Sequence, residues 1–346
     1  MLRYLTAGES HGKALLAILE GMPAGLKVGI ERINQELKHR QQGYGRGKRM
    51  RIEKDKAEIL SGLKNGLTLG SPIGILIKNK DFSIEKLPKV ICPRPGHADL
   101  AGVLKYGFSD VRNVLERASA RETAARVAIG AICKMLLEEF GISITSRVLE
   151  VGGREDKGQI KAVIDEARKK KDTLGGIFEV RARNVIAGLG SYVHPDRRLD
   201  SRLAQIIMSI PGVKAVQVGL GFGYADELGS HVHDVIRYSK NKGFYRETNN
   251  AGGIEGGISN GEDILLHACM KPISTLLAPL DSVNIKTRAK AKASIERSDI
   301  CVVQAAGVVA EAAVAFELAK AVLSKFGSDA LTDIKVSYRN YLKRLR

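Results

Sequence analysis

The stretch from Arg117 to Phe140, RASARETAARVAIGAICKMLLEEF, constrains the fold more than any other part of the chain. Ser119-Ala120-Arg121-Glu122 fits the S-x-x-E capping box. In that motif the serine hydroxyl accepts from the backbone N–H of Glu122, and the Glu122 side chain reaches back to the N–H of Ser119. Behind it the pattern predicts an apolar helix carrying Ala124, Val127, Ala128, Ala131, Ile132, Met135, Leu136 and Phe140. Its small residues allow close packing. A helix start offers N–H donors and the positive end of the helix dipole. Arg117, Arg121 and Arg126 crowd the same end. A buried helix does not need three arginines there, but an anion-binding site does. An ordinary capped helix with solvated arginines is the alternative.

The 346 residues suffice for one large domain or two, and 44% hydrophobic residues can bury a sizeable core. The 37 glycines, few aromatics and absence of Trp suit close backbone packing and Gly-lined loops around a ligand. Cys92, Cys133, Cys269 and Cys301 are far apart and form no C-x-x-C pair, so a zinc site or disulfide framework is not expected and a reducing compartment fits. No signal-peptide layout and no uncharged apolar run of about 18 residues is present, which predicts a soluble cytoplasmic protein with no membrane partner. The net charge of +17 suits either nucleic acid or small polyanionic ligands. Lys169 to Lys171 and Lys343 to Arg346 read as solvated basic faces. Other arginines sit in Gly-rich loops beside histidines.

In chain order, a strand over Leu2 to Thr6 leads into the turn Ala7 to Gly12, which carries His11 between small residues. Gly8 to Lys13 misses the P-loop spacing, and Ala14 stands where Ser or Thr is required, so an NTPase is rejected. Ile30 to Arg40 reads as a helix. The loop from Arg40 to Arg51 holds Arg40, Arg46, Arg49 and Arg51 and reads as a lid over an anionic ligand, a solvated basic loop or a nucleic-acid arm. Ile73 to Ile77 reads as a strand. Cys92-Pro93-Arg94-Pro95-Gly96-His97-Ala98-Asp99 is a second tight loop pairing Arg with His, and two such histidines suggest acid–base work. Strands over Ser143 to Val151, Gly176 to Val185 and Val213 to Gly219 alternate with helices over Gln159 to Lys170 and Arg198 to Ser209, an α+β layering. Gly219 to Gly223 does not make a G-x-G-x-x-G fingerprint. Asn249 to Gly261 is the most glycine-dense stretch. Lys271 to Thr275 offers a cation and two hydroxyls beside a proline, and Gly307 to Phe326 reads as a core helix containing Glu311.

Seven of these pieces, in this order, resemble the chorismate synthase family: GESHG (8–12), RQQGYGRGKRMRIEKD (40–55), RPGHADL (94–100), RASARETAARVAIGA (117–131), NNAGGIEGGISNG (249–261), MKPIST (270–275) and ERSD (296–299). The resemblance runs from residue 8 to about residue 315. It implies a single domain over residues 1–346, a β-α-β sandwich with a helical core, and a cytoplasmic homotetramer. It also implies a shikimate-pathway lyase. The reaction would be anti-1,4-elimination of phosphate from 5-enolpyruvylshikimate 3-phosphate, dependent on reduced FMN although redox-neutral overall.

Carried over by position, His11 would protonate the leaving phosphate, His97 would sit near the flavin N1–C2=O edge, and Asp299 would act with flavin N5 in removing the ring proton. Ser10, Arg40, Arg46, Arg49, Arg94, Arg121 and Arg297 would hold the substrate. Arg117, Ala118, Ser119, Gly256, Lys271, Pro272, Ile273, Ser274, Thr275 and Arg297 match flavin contacts. His231 and Val232 fall at another, where the family's usual residues differ. Arg40 and Arg46 coincide with family NADP positions but read better as substrate contacts. Whether NAD(P)H reduces the flavin on this chain or an external flavin reductase does so stays open. The chain also departs from the family in having Ser298 and Ile300 around Asp299, and Gln304-Ala305-Ala306 shortly after. A nucleic-acid-binding protein would need stacking aromatics on a basic face, and a phosphotransferase would need a metal-binding carboxylate cluster. The sequence offers neither, so no nucleic-acid partner is expected.

Overall fold

The computed structural model describes residues 1–47, 53–296 and 298–345. Arg49, Arg51 and Arg297 of the sequence reading lie outside the described residues. Two four-stranded antiparallel sheets enclose a layer of helices. The first joins β1 (Arg3–Ala7), β2 (Ala14–Glu20), β3 (Ala57–Ile59) and β4 (Ile73–Lys78) in the order β1-β2-β4-β3. The second joins β5 (Ser143–Val151), β6 (Gly176–Arg183), β7 (Val213–Val218) and β8 (Ile264–Met270) in the order β5-β6-β8-β7. The helices of eight residues or more among the described residues are α1 (Ile30–Gln41), α2 (Asp99–Tyr106), α3 (Thr123–Glu138), α4 (Lys157–Lys169), α5 (Leu199–Met208), α6 (Val303–Phe326) and α7 (Leu331–Leu345).

Side-chain alternation decides which way each sheet faces. In β2, Leu15, Ala17 and Leu19 turn inward onto α3, while Leu16 and Ile18 face out. In β6 and β8, Phe178, Val180, Leu266 and Ala268 turn onto the core. Helix α6 is buried along nearly its whole length, because it lies between α3 on one side and β5 and β6 on the other. Small residues make this layering possible. A Cβ added at Gly130 of α3 would lie 2.3 Å from the Ala312 Cβ of α6. One added at Gly307 would lie 2.7 Å from the Ser146 hydroxyl of β5. The helix therefore touches both neighbours with its backbone. A buried ionic cluster crosses the same seam: Lys134 Nζ lies 2.7 Å from Glu36 of α1 and 2.6 Å from Glu311 of α6. Burial works against the Lys134 charge, but Glu311 and Glu36 outweigh it and its pKa is raised.

The expected sandwich with a helical core is the observed architecture. The capping box is not. A short 3₁₀ turn over Ala120–Glu122 precedes α3, so Ser119 Oγ accepts from the N–H of Arg121 at 3.3 Å. The Glu122 carboxylate turns instead to Arg126, 2.8 Å away. The predicted strands and long helices hold to within a few residues. Helices α2 and α7 were not anticipated. Among the described residues no helix is long and apolar enough to cross a membrane.

Replacing Gly130 by Ala is expected to destabilise the fold, although alanine gains about 1 kcal/mol of helix propensity. The contact with Ala312 is backbone as well as side chain, so overpacking should cost about 1–3 kcal/mol beyond that gain. Urea unfolding checks it: a Gly130→Ala midpoint at or above that of the parent chain would contradict the packing account.

Candidate active site

Five segments far apart in sequence meet beyond the N-terminal end of α3. Arg40, in the last turn of α1, and Arg121, in the turn before α3, share one carboxylate. Arg40 Nη2 donates to Asp55 Oδ2 at 2.7 Å, and Arg121 Nη1 donates to Asp55 Oδ1 at 2.6 Å. All three residues are buried. Arg121 Nε donates to Asn79 Oδ1 at 2.9 Å, and Glu53 lies 3.9 Å from its Nη2. Asn79 also staples the histidine turn, donating to the carbonyls of Gly12 (2.7 Å), Glu9 (3.2 Å) and Ser10 (3.4 Å). The Ser119 hydroxyl donates to that of Ser10 at 3.2 Å. Arg40 Nε, Arg46 Nε and Arg121 Nη2 are buried with no hydrogen-bond partner among the described residues, as is Arg181 Nε on the second sheet.

Both predicted histidines face a carboxylate. His11 Nδ1 lies 3.0 Å from Glu116 Oε1, and Glu116 is in turn held by Arg112 Nη1 at 3.2 Å. His97 Nδ1 lies 2.5 Å from Asp99 Oδ1, and Arg94 holds Asp99 through Nε (2.8 Å) and Nη2 (3.0 Å). A proton on Nδ1 would satisfy the carboxylate at either ring, although Arg94 Nη2 also lies 3.1 Å from His97 Nδ1. Arg94 also donates from Nη1 to the Thr275 hydroxyl at 2.7 Å. The Gly96 carbonyl accepts from Lys271 Nζ and, at 2.7 Å, from Ser274 Oγ. The loop of Arg94 and His97 is thereby built onto the Lys271 to Thr275 segment. Burial, then the charge of Lys214, lowers the Lys271 pKa.

Asp299 pairs with Arg46, Oδ2 to Nη1 at 3.3 Å, and accepts from the backbone N–H of Gly47. The Gly45 carbonyl accepts from the N–H of Ile300 at 2.8 Å. The described part of the 40–51 loop is thus docked on residues 299–301. Arg112 Nη2 donates to Glu296 at 2.9 Å, and Ser294 Oγ donates to the Cys92 carbonyl at 2.7 Å, so this segment runs between the two histidine supports.

Other predicted residues lie apart from these contacts. Arg117 spends its guanidinium on the carbonyls of Gly8 and Thr6, both at 2.9 Å. Arg126 binds Glu122 and Ser209. Gly256 forms the tip of a tight hairpin with Gly257, both at positive φ, packed beside Ser191 and Leu199. That hairpin leads into β8, and Lys271 follows its far end. At about 3.3 Å per residue the strand separates them by roughly 20 Å. His231 lies next to the 249–251 segment, where Asn250 donates to the Val232 carbonyl at 3.0 Å. The carboxylates Asp55 and Glu116 and the amide of Asn79 received no role in the sequence reading because each acts on residues distant in the chain, and Asp99 received none although its partners His97 and Arg94 lie within five residues.

Burial pushes the carboxyl groups of Asp55, Asp99 and Glu116 up, but their partners more than offset it. Arg40 and Arg121 do this for Asp55, hydrogen bonds from His97 and Arg94 for Asp99, and His11 followed by Arg112 for Glu116. All three end below the usual carboxylate range.

A family model described as chorismate synthase matches residues 2–323. The chorismate synthase of Thermoanaerobacter pseudethanolicus is 54% identical over 344 residues, covering 99% of this chain and 98% of that protein. That of Aquifex aeolicus is 49% identical, covering 100% and 98%. A crystal structure titled as chorismate synthase superposes with a TM-score of 0.82 at 43% identity, covering 99% of this chain and 98% of that one.

Because these pKa values are lowered in the fold, the unfolded chain takes up protons first as pH falls. The stabilisation is complete above about pH 5 and is lost progressively as pH falls through the ordinary carboxylate range near 4 and below. Scanning calorimetry should therefore show a melting temperature falling steeply below about pH 4, and a shallower fall in Asp55→Asn. Parallel slopes for the two proteins would contradict the assignment of Asp55.

Proposed function

The chain belongs to the chorismate synthase family, carbon–oxygen lyases of the shikimate pathway, and on that premise we propose that the clusters around Asp55, His11, His97 and Asp299 eliminate phosphate from 5-enolpyruvylshikimate 3-phosphate beside reduced FMN. The observation that carries this reading is the set of buried guanidinium N–H groups on Arg40, Arg46 and Arg121 that lack acceptors among the described residues. A buried donor without a partner costs about 1–3 kcal/mol, whereas a charge-assisted hydrogen bond to an anion is worth about 1.5–3 kcal/mol. A substrate with one phosphate and two carboxylates supplies such acceptors.

Within this reading Arg40, Arg46 and Arg121 hold the substrate anions, and Ser10 and Ser119 add hydroxyls at their edge. His11 donates a proton to the departing phosphate. Asp299, paired with Arg46, stands on the side from which the ring proton leaves. Arg94 supports His97 and Thr275. Arg49 and Arg297, which lie outside the described residues, complete the substrate set. Arg40 and Arg46 are enclosed and ion-paired, which favours a small buried anion over NADP docking from solvent. On this view NAD(P)H reduces the flavin on a separate reductase.

The donors suit FMN. Ser119 opens a helical turn with N–H groups, Lys271 supplies an ammonium, Ser274 and Thr275 supply hydroxyls, and an added Cβ at Gly256 would meet nothing. Bound reduced FMN supplies transient electron density that eases departure of the phosphate. Arg117, Ala118, Pro272 and Ile273 belong to the same set. Gly256 and Lys271 stand at opposite ends of β8, and Leu5, Leu16 and Ile18 form an apolar outer face on the first sheet. Both features support a homotetramer in which copies complete one another's sites. The free cysteines fit a cytoplasmic location.

The test is anaerobic. With dithionite-reduced FMN and 5-enolpyruvylshikimate 3-phosphate, the protein is expected to release chorismate and phosphate in equal amounts. NADPH with oxidised FMN should give no product until a flavin reductase is added. His97→Ala and Asp299→Ala should fold and bind FMN yet lose about 10²–10⁴-fold in turnover. Product without reduced flavin, or parental rates in either variant, would overturn the reading.

A further inference from the structure

Glu116 grips His11 in three ways. Its Oε2 accepts from the His11 backbone N–H at 2.8 Å, and both its oxygens face the ring Nδ1, at 3.0 and 3.1 Å. Its own backbone carbonyl accepts from the N–H of Ser10 at 2.9 Å. The side chain is 2% exposed, so water does not compete for these bonds. Arg112 fixes the carboxylate from behind, donating from Nη1 to Oε1 at 3.2 Å. Arg112 is itself anchored through Nε to the Pro88 carbonyl at 2.8 Å.

We propose that Glu116 is the positioning residue of His11, holding it as the Nδ1–H tautomer so that Nε2 is the nitrogen that exchanges the proton with phosphate. The proposal rests on the reading of His11 as the proton donor. In the step, the Nε2–H bond of the imidazolium breaks and an O–H bond forms on the leaving phosphate. The ring electron pair returns to Nε2, and the neutral Nδ1–H imidazole remains on Glu116. A carboxylate facing Nδ1 fixes the direction of the ring before reaction. Lowering of the Glu116 pKa by His11 and Arg112, against burial, keeps that carboxylate ionised at neutral pH. The second histidine repeats the arrangement with Asp99 and Arg94.

Glu116→Gln is the direct variant. Its amide keeps the volume but sets an NH₂ group against one of three donors: the His11 N–H, the ring Nδ1–H or Arg112. Turnover should fall at least tenfold, while the KM for substrate and the affinity for FMN stay within about twofold. In the parental chain, ¹⁵N spectra of histidine-labelled protein, assigned by loss of the signal in His11→Asn, should show neutral His11 protonated at Nδ1. An Nε2–H signature, or a parental turnover in Glu116→Gln, overturns the proposal. If Glu116→Gln fails to fold, the parental spectrum alone decides. If His11→Asn keeps full turnover, the proton-donor reading fails and the proposal with it. If His11→Asn is inactive and Glu116→Gln is not, only the proposal fails.

Discussion

Two guanidinium groups buried on a single carboxylate set the terms for the rest of this molecule. Arg40 and Arg121 cannot both be satisfied by Asp55, and each retains a donor atom without an acceptor among the described residues. Burying paired charge is costly in itself, and a shared partner leaves more of that cost in place. Repulsion from Arg121 is among the effects lowering the Arg40 pKa, after burial and against the pull of Asp55. A fold can hold such a cluster only if the surrounding core is large and stiff. The α3–α6 seam provides that, with backbone touching backbone at Gly130 and Ala312 and the Glu36–Lys134–Glu311 cluster across it.

The same helix joins core and chemistry. The middle of α3 is fixed by packing, so the 3₁₀ turn leading into it is fixed too, and that turn places Arg121 beside Asp55 and Ser119 beside Ser10. Asn79, just past the end of β4, ties Arg121 to the carbonyls of the His11 turn. Glu116, one short turn upstream, holds the ring. A displacement of the helix start would therefore move anion contacts and proton donor together.

Much of the architecture was legible in the chain. The strands over Ser143–Val151 and Gly176–Arg183 and the small-residue run of α6 could be read from local pattern, whereas ALLAILE is apolar up to its last residue and its alternation of buried and exposed faces shows only in the fold. Helix α7 was missed because its buried residues, Leu331, Ile334 and Tyr338, are thinly spaced among charges. Helix α2 is short and follows a loop whose prolines dominate the local signal. The histidines and arginines of the site could be read from tight loops, since unusual residues in constrained backbone are visible locally. Partners distant in the chain could not. Glu116 is 105 residues from His11, and Thr275 is 181 from Arg94, so only the folded chain relates them. The capping box failed for a related reason: Glu122 finds Arg126 one turn ahead, and the N–H of Arg121 takes the serine.

The central claim is that unpaired guanidinium donors around Asp55 are completed by substrate oxygens. Calorimetric titration of 5-enolpyruvylshikimate 3-phosphate into Arg121→Lys tests it most directly. Lysine keeps the charge but loses the planar fork. Loss of about 1.5–3 kcal/mol should weaken the dissociation constant by roughly 10- to 100-fold relative to the parental chain. A dissociation constant unchanged in a folded Arg121→Lys would contradict the account.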